Sequence, residues 1–368
     1  MSSHPSIDAA TLLARWQSEG HLAAEAAPKV AAAIAAAVRD AEPPIYLKIL
    51  TAVGTAVATA FFLGFLGVSG LISFDKGSSL MVWAAIFLAM GIGLALSLRA
   101  AAPGLGRDFA AQSAFVALAL GKVLAVGGAA QIWGFDKTGV VTATLLVVTI
   151  LTYPVSGSSL DRLLSPYAVA GSALFDLTRS GGDLTAGLTL YHLVATAVAG
   201  GLLLSHRVPA GLRPVGLAAL AAMGTVVCLI ASGHDFGIWV TRQPIDVRPI
   251  EAILTLSLIG TVAWVAGGFE RLARPPLAAA TVAAVALGFA GAPGLIFALI
   301  VLLVGHARHD VPMRVVGILA LPAFLVLWYY GRDMSFLQKS AALVGSGALL
   351  LAARGVMARQ GWDREEAP

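Results

Sequence analysis

The sequence predicts an all-α fold, a polytopic transmembrane helical bundle of about twelve spans. Of the 368 residues, 58% are hydrophobic and only 12% are charged, against about 25% charged in ordinary soluble domains. Mean hydropathy is +0.86. The apolar residues also gather in runs near the length of about 20 residues that crosses about 30 Å of hydrocarbon. Together these exclude an ordinary soluble enzyme, a disordered chain and a nucleic-acid binder. They make the lipid bilayer the expected surroundings.

The first 40 residues carry Asp8, Arg15, Glu19, Glu25, Lys29, Arg39 and Asp40. No basic region followed by an apolar core and a small-residue cleavage site stands here, so a cleaved signal peptide is not expected. Residues 6–40 read instead as two short helices, either a cytoplasmic hairpin or, with little aromatic support, a pair lying on the membrane surface. Ser6 is an N-cap candidate, and Gly20 ends the first helix. The expected organisation is a helical N-terminal segment over 1–45, the bundle over 46–356 and a cytoplasmic tail over 357–368. The lone cysteine, Cys228, forms no internal disulfide.

The spans are read as Leu47–Ser73, Ser79–Leu98, Phe109–Trp133, Thr138–Tyr153, Leu160–Leu177, Gly187–Ser205, Leu212–Ser232, Ile250–Phe269, Pro275–Ala290, Pro293–His306, Pro312–Tyr330 and Phe336–Val356. Leu160–Leu177 opens with Asp161 and Arg162 and contains Pro166. Gly291-Ala292-Pro293-Gly294 interrupts one long apolar run. Pro and Gly together disfavour helix continuation, so the run divides into two short spans, a re-entrant hairpin or one kinked helix. With the N-terminus inside, sixteen of the 24 Lys and Arg fall in cytoplasmic segments and seven in outer loops. That asymmetry follows the positive-inside tendency and favours both termini in the cytoplasm. It also favours the hairpin, because a single helix would part Arg271 and Arg274 from Arg308 and Arg314. Phe74-Asp75-Lys76-Gly77, Phe135-Asp136-Lys137-Thr138-Gly139 and Phe175-Asp176 recur at expected outer helix ends. Either a duplicated hairpin or a shared helix stop produces them.

Lys122 is the costliest residue. It lies about 13 residues into its span, roughly 20 Å from the inner end. A lysine near mid-bilayer costs at least about 2.5 kcal/mol on insertion scales. The 20 acidic residues all read as tail, loop or span-end residues, so no carboxylate is expected beside it. Either desolvation leaves the amine neutral, or Lys122 lines a wet cavity and binds an anion or carbonyl oxygens, or it snorkels outward or fills one polar gap in the bundle. His192 follows Tyr191 near the outer end of its span and reads as a proton relay or a structural interfacial residue. No metal-ligand spacing, phosphate loop or nucleophile motif is present, and no catalytic residue or cofactor is expected. Gly64-x-x-Gly67 and Gly345-x-Gly347 read as helix-packing seams.

Trp328-Tyr329-Tyr330 forms an aromatic belt, with Lys339 and Ser340 opening the last span. The run Tyr329-Tyr330-Gly331-Arg332-Asp333-Met334-Ser335-Phe336-Leu337-Gln338-Lys339-Ser340, then Gly345-x-Gly347-Ala348-Leu349-Leu350-Leu351 and Arg354, resembles the C-terminal signature of the domain-of-unknown-function 4401 family of bacterial polytopic membrane proteins. The chain departs from that pattern at Arg332, where an apolar residue is expected, and at Ser335-Phe336, where Thr-Leu is expected. The N-terminal Leu12-x-x-x-Trp16-x-x-x-Gly20 resembles the start of a related membrane family. The resemblance implies a bacterial inner-membrane location and importance for Tyr329, Tyr330, Lys339 and Ser340. It also implies proximity to a small envelope protein, and it transfers no catalytic residue. Three functions are therefore weighed: an accessory protein acting with a small envelope partner, a small-solute or ion transporter using a cavity near Lys122, and a lipid-modifying enzyme. The lack of clustered carboxylates and histidines counts against the last.

Overall fold

The computed structural model describes residues 15–19, 21–23, 26–30, 54, 57, 61, 62, 64–99, 105–134, 137–205, 207–231, 245–330, 337, 340, 344 and 355. Every regular element among them is helical. The chain divides into two units, residues 1–176 and 177–368.

The first unit is built on α1 (Gly77–Ser97) and α2 (Leu105–Trp133). They run antiparallel with glycines at the contact. A Cβ on Gly128 would stand 2.9 Å from the Gly77 carbonyl oxygen, and one on Gly121 would stand 2.7 Å from Leu88 Cγ. Glycine is required there because the backbones approach closely. Leu80, Ala84, Phe87, Ala117 and Leu124 fill the seam between them. The expected seam at Gly64 has open space around it, and Gly67 faces Phe74 of its own turn. Trp83 Nε1 donates to the Leu71 carbonyl at 2.9 Å, and Gln131 Nε2 donates to that of Phe74 at 2.6 Å. These bonds fix the turn before α1.

After Gly139, which holds a left-handed φ of 89°, α3 (Val140–Thr152) has only 13 residues. At 1.5 Å per residue it is about 20 Å long, short of a bilayer's hydrocarbon thickness. The chain turns through Tyr153–Ser158 into α4 (Ser159–Arg179). Thr142 Oγ1 donates to Asp176 Oδ2 at 2.6 Å, tying the start of α3 to the far end of α4.

The second unit begins at α5 (Leu184–Leu203), capped by Asp183 Oδ1 accepting the Ala186 N–H at 3.1 Å. It continues through α6 (Arg213–Ala231), α7 (Arg248–Ala266), α8 (Pro275–Phe289), α9 (Pro293–Ala307) and α10 (Val311–Tyr330). Gly267 at φ 84° closes α7, and the Gly268 N–H reaches the Ala263 carbonyl at 2.9 Å. Gly291, at φ 61°, stands between α8 and α9, so the run of 275–307 forms two helices and not one kinked helix. α9 is the core of this unit, with Ile296 and Ala298 fully buried beside Ile250 and Leu254 of α7. It also packs on α6 and α10.

Large apolar side chains cover the outside of both units, among them Val123, Ile150, Leu190, Leu256 and Leu319. In water such a surface drives association; in lipid it is the expected exterior. Among the described residues, six helical stretches are long and apolar enough to cross a membrane: Gly77–Ser97, Phe109–Trp133, Leu184–Leu203, Ala210–Ala231, Arg248–Ala266 and Val311–Tyr330. Three of the twelve expected spans correspond to the shorter apolar helices α3, α8 and α9. A fourth corresponds to α4, whose charged ends keep it from that set. Leu47–Ser73 is described at about half of its positions, helical at 64–68, and Phe336–Val356 lies largely outside the described residues. Of the expected N-terminal pair, the described turn around Arg15 carries an Arg15 Nε–Glu19 Oε1 ion pair at 2.7 Å.

Candidate functional site

Lys122 stands 17 residues from the start of α2 and 11 from its end. That places its Cα roughly 26 Å and 17 Å from the two helix ends. It is 6% exposed. Contrary to the sequence expectation, it has a carboxylate partner. Lys122 Nζ donates to Asp161 Oδ1 at 2.6 Å and to Ser165 Oγ at 2.6 Å. Ser165 Oγ in turn donates to the same Asp161 oxygen at 2.9 Å. The side chains of Lys122 and Asp161 are 7% and 4% exposed, so this is a closed, desolvated triangle.

The shortness of α3 explains the partner. Asp161 is the third residue of α4 and reads in sequence as a span end. A span end lies at the membrane surface only if the preceding span crosses fully. Because α3 stops after 13 residues, the first turn of α4 begins alongside the middle of α2. Asp161 and Ser165 are four apart, hence on one helix face, and both turn to Lys122. That i, i+4 polar pair within an otherwise apolar stretch was the available signal.

The other candidates stand elsewhere. His192 lies within α5, fully buried, and neither ring nitrogen has a hydrogen-bond partner among the described residues. It is an interior residue of the second unit. Tyr329 and Tyr330 close α10 with ring centroids 5.2 Å apart in an edge-to-face arrangement, and Tyr330 is 75% exposed. Ser340 is exposed on a helical position, and Lys339 lies outside the described residues. Lys122 belongs to the first unit and His192, Tyr329 and Tyr330 to the second. Cavities of about 170–210 Å³ are present, and none of those described has Lys122 on its wall. Among the described residues, no three His, Cys, Asp or Glu side chains converge as a metal site.

A family model described as "Domain of unknown function (DUF4401)" matches residues 44–360. The chain belongs to this family. The match begins and ends close to the limits of the helical bundle read from the sequence, so DUF4401 describes that bundle as a whole and not only its Tyr-Tyr…Lys-Ser hairpin. No curated protein and no solved structure matches the chain. What distinguishes this DUF4401 chain chemically must therefore come from its own geometry.

Proposed function

We propose that the chain is a multi-pass protein of a bacterial inner membrane, with about twelve spans, of which α3 reaches only part of the way across, and both termini in the cytoplasm. In this reading it acts as an accessory protein with a small envelope partner, through the segment from Tyr329 to Ser340. The observation that carries the choice over a Lys122-centred transporter is the closed Lys122–Asp161–Ser165 triangle. A solute site needs donors facing a cavity. Here the ammonium is held between a carboxylate and a hydroxyl at 7% exposure, as expected of a clamp between α2 and α4. At the other end of the reading, Tyr330 stands exposed beside the apolar outer face of α10, where Ile318, Leu319 and Val326 are also exposed. Tyrosine is suited to contacts that are apolar on one side and wet on the other.

The test uses the full chain carrying a photo-crosslinking residue in place of Tyr330, expressed in its own cells. One small envelope protein should be captured, and Lys339→Ala should abolish that capture while melting temperature is retained. Unchanged capture in Lys339→Ala, or no adduct beyond lipid, refutes the accessory reading. Single-cysteine labelling from a Cys228→Ala background checks the topology. Termini reacting from opposite faces would overturn it.

A further inference from the structure

We propose that the first unit binds a phosphate-bearing anion at the start of α4. A cavity of about 190 Å³ opens there, with Arg99, Arg107 and Arg162 on its wall together with the turn residues Ser156, Gly157 and Ser158. Among the described residues no acidic side chain lines it. The nearest acid on α4, Asp161, is held by Lys122. Three arginines therefore line one small space without a counter-charge among the described residues of its wall.

The backbone adds to this. The first N–H groups of a helix have no acceptor within it, and they give that end a partial positive charge. Ser158 caps α4 only weakly, its Oγ accepting the Asp161 N–H at 3.4 Å. Phosphate groups are received at such termini. Irregular backbone at membrane depth is tolerated where it is buried in protein or lines a cavity, and the Tyr153–Ser158 turn follows a helix too short to cross.

A helix end and three arginines alone would describe any basic membrane surface. Ser156 is the independent sign of a ligand. It is 1% exposed and lines the cavity, and its hydroxyl has no hydrogen-bond partner among the described residues. A buried hydroxyl left unsatisfied costs about 1–3 kcal/mol. Arg162 Nε is likewise buried without a partner. Both deficits vanish if a phosphate oxygen occupies the space. The guanidinium groups are also positioned in advance. Arg99 Nη2 donates to the Pro154 carbonyl at 3.1 Å, and Arg162 lies 5.8 Å over the Tyr153 ring. Each has further N–H donors in the planar fork that suits phosphate.

Size narrows the ligand. The volume is below the roughly 300–1,000 Å³ of pockets that enclose whole drug-sized molecules, so the space takes a phosphate group and not a complete metabolite. The wall extends on α2 from Arg107 to Leu118, about 16 Å along the helix, from a charged mouth to an apolar interior. A lipid headgroup or free phosphate both supply the required chemistry. The site is independent of the partner proposed for the Tyr329–Ser340 segment.

The experiment uses the full-length protein in a phosphate-free maltoside detergent. Melting is followed while inorganic phosphate, a short-chain phosphatidylglycerol or the matching diacylglycerol is titrated in, with sodium chloride at equal ionic strength. A saturable rise with a phosphate-bearing probe is expected. Arg99→Gln/Arg107→Gln should weaken the apparent affinity about tenfold or more. Ser156→Ala should weaken it several-fold while leaving ligand-free melting at or above that of the parent, because it also removes the unsatisfied hydroxyl. Response to inorganic phosphate assigns a free anion, and response to the phospholipid alone assigns a headgroup. No saturable response, an equal response to chloride or diacylglycerol, or a response unchanged in both variants overturns the proposal.

Discussion

Replacing Lys122 by Met removes the ammonium and leaves the Asp161 carboxylate, 4% exposed, with Ser165 Oγ as its remaining side-chain donor at 2.9 Å. Breaking a buried pair from one side typically costs about 3–5 kcal/mol, because the stranded charge stays desolvated. At about 1.4 kcal/mol per factor of ten, that lowers the folded-to-unfolded ratio by roughly two to three and a half orders of magnitude. Asp161→Asn strands the ammonium instead and should cost a similar amount. Lys122→Met/Asp161→Leu removes both charges, and apolar replacement of a whole buried pair is often neutral or stabilising. The double variant should therefore recover most of the loss. Denaturant unfolding in detergent micelles, followed by tryptophan fluorescence, gives all four corners of the cycle. If Lys122→Met unfolds like the parent, the pair does not hold α4 to α2. If the double variant folds normally but loses a cellular function, Lys122 does more than clamp.

Four further outcomes are expected. Gly128→Ala should destabilise the first unit by about 1–3 kcal/mol through overpacking, since its Cβ would meet Met81 Cγ at 2.8 Å and the Gly77 carbonyl oxygen at 2.9 Å. Gly93→Ala, with open space around it, should be neutral or stabilising by up to about 1 kcal/mol; thermal melting of the pair separates packing from propensity. His192→Leu should raise the melting temperature, because it removes two buried nitrogens without partners among the described residues that cost about 1–3 kcal/mol each, and a lowered one would show that the ring is held. Asp310→Ala should destabilise more than Arg213→Ala, because Asp310 both pairs with Arg213 at 2.5 Å and caps α10 by accepting the Met313 N–H at 3.1 Å. The cap is worth about 1 kcal/mol and the half-exposed pair less, a difference that chemical denaturation resolves.

Helical class and most helix limits were legible because apolar runs and Pro/Gly breaks report them directly. Gly291 separates α8 from α9 where the Gly-Ala-Pro-Gly run predicted a break. Partners were not legible. A glycine in a helix announces that something comes close but not what, so the α1–α2 seam at Gly77, Gly121 and Gly128 was not legible. The burial of His192 depends on neighbouring helices. Asp161 lies 39 residues from Lys122, and the assumption that every span crosses fully put it at the surface.

That assumption fails at α3, and two features follow from the failure there. The Thr138–Tyr153 span is already short in sequence, and α3 shortens it further to Val140–Thr152. A full-length helix would carry Asp161 and Ser165 away from the middle of α2 and leave Lys122 uncompensated. It would also place Ser156 and the start of α4 at the bilayer surface, where water satisfies hydroxyls and N–H groups. The short helix instead draws a polar turn into the depth of the bundle. Asp161 is used there by Lys122, and what is left facing the cavity is cationic, with Arg99, Arg107 and Arg162 around an unsatisfied serine. The clamp and the anion cavity are thus two sides of one turn. Neutralising Asp161 by Lys122 is what allows the neighbouring arginines to act on an external anion and not on the helix's own carboxylate.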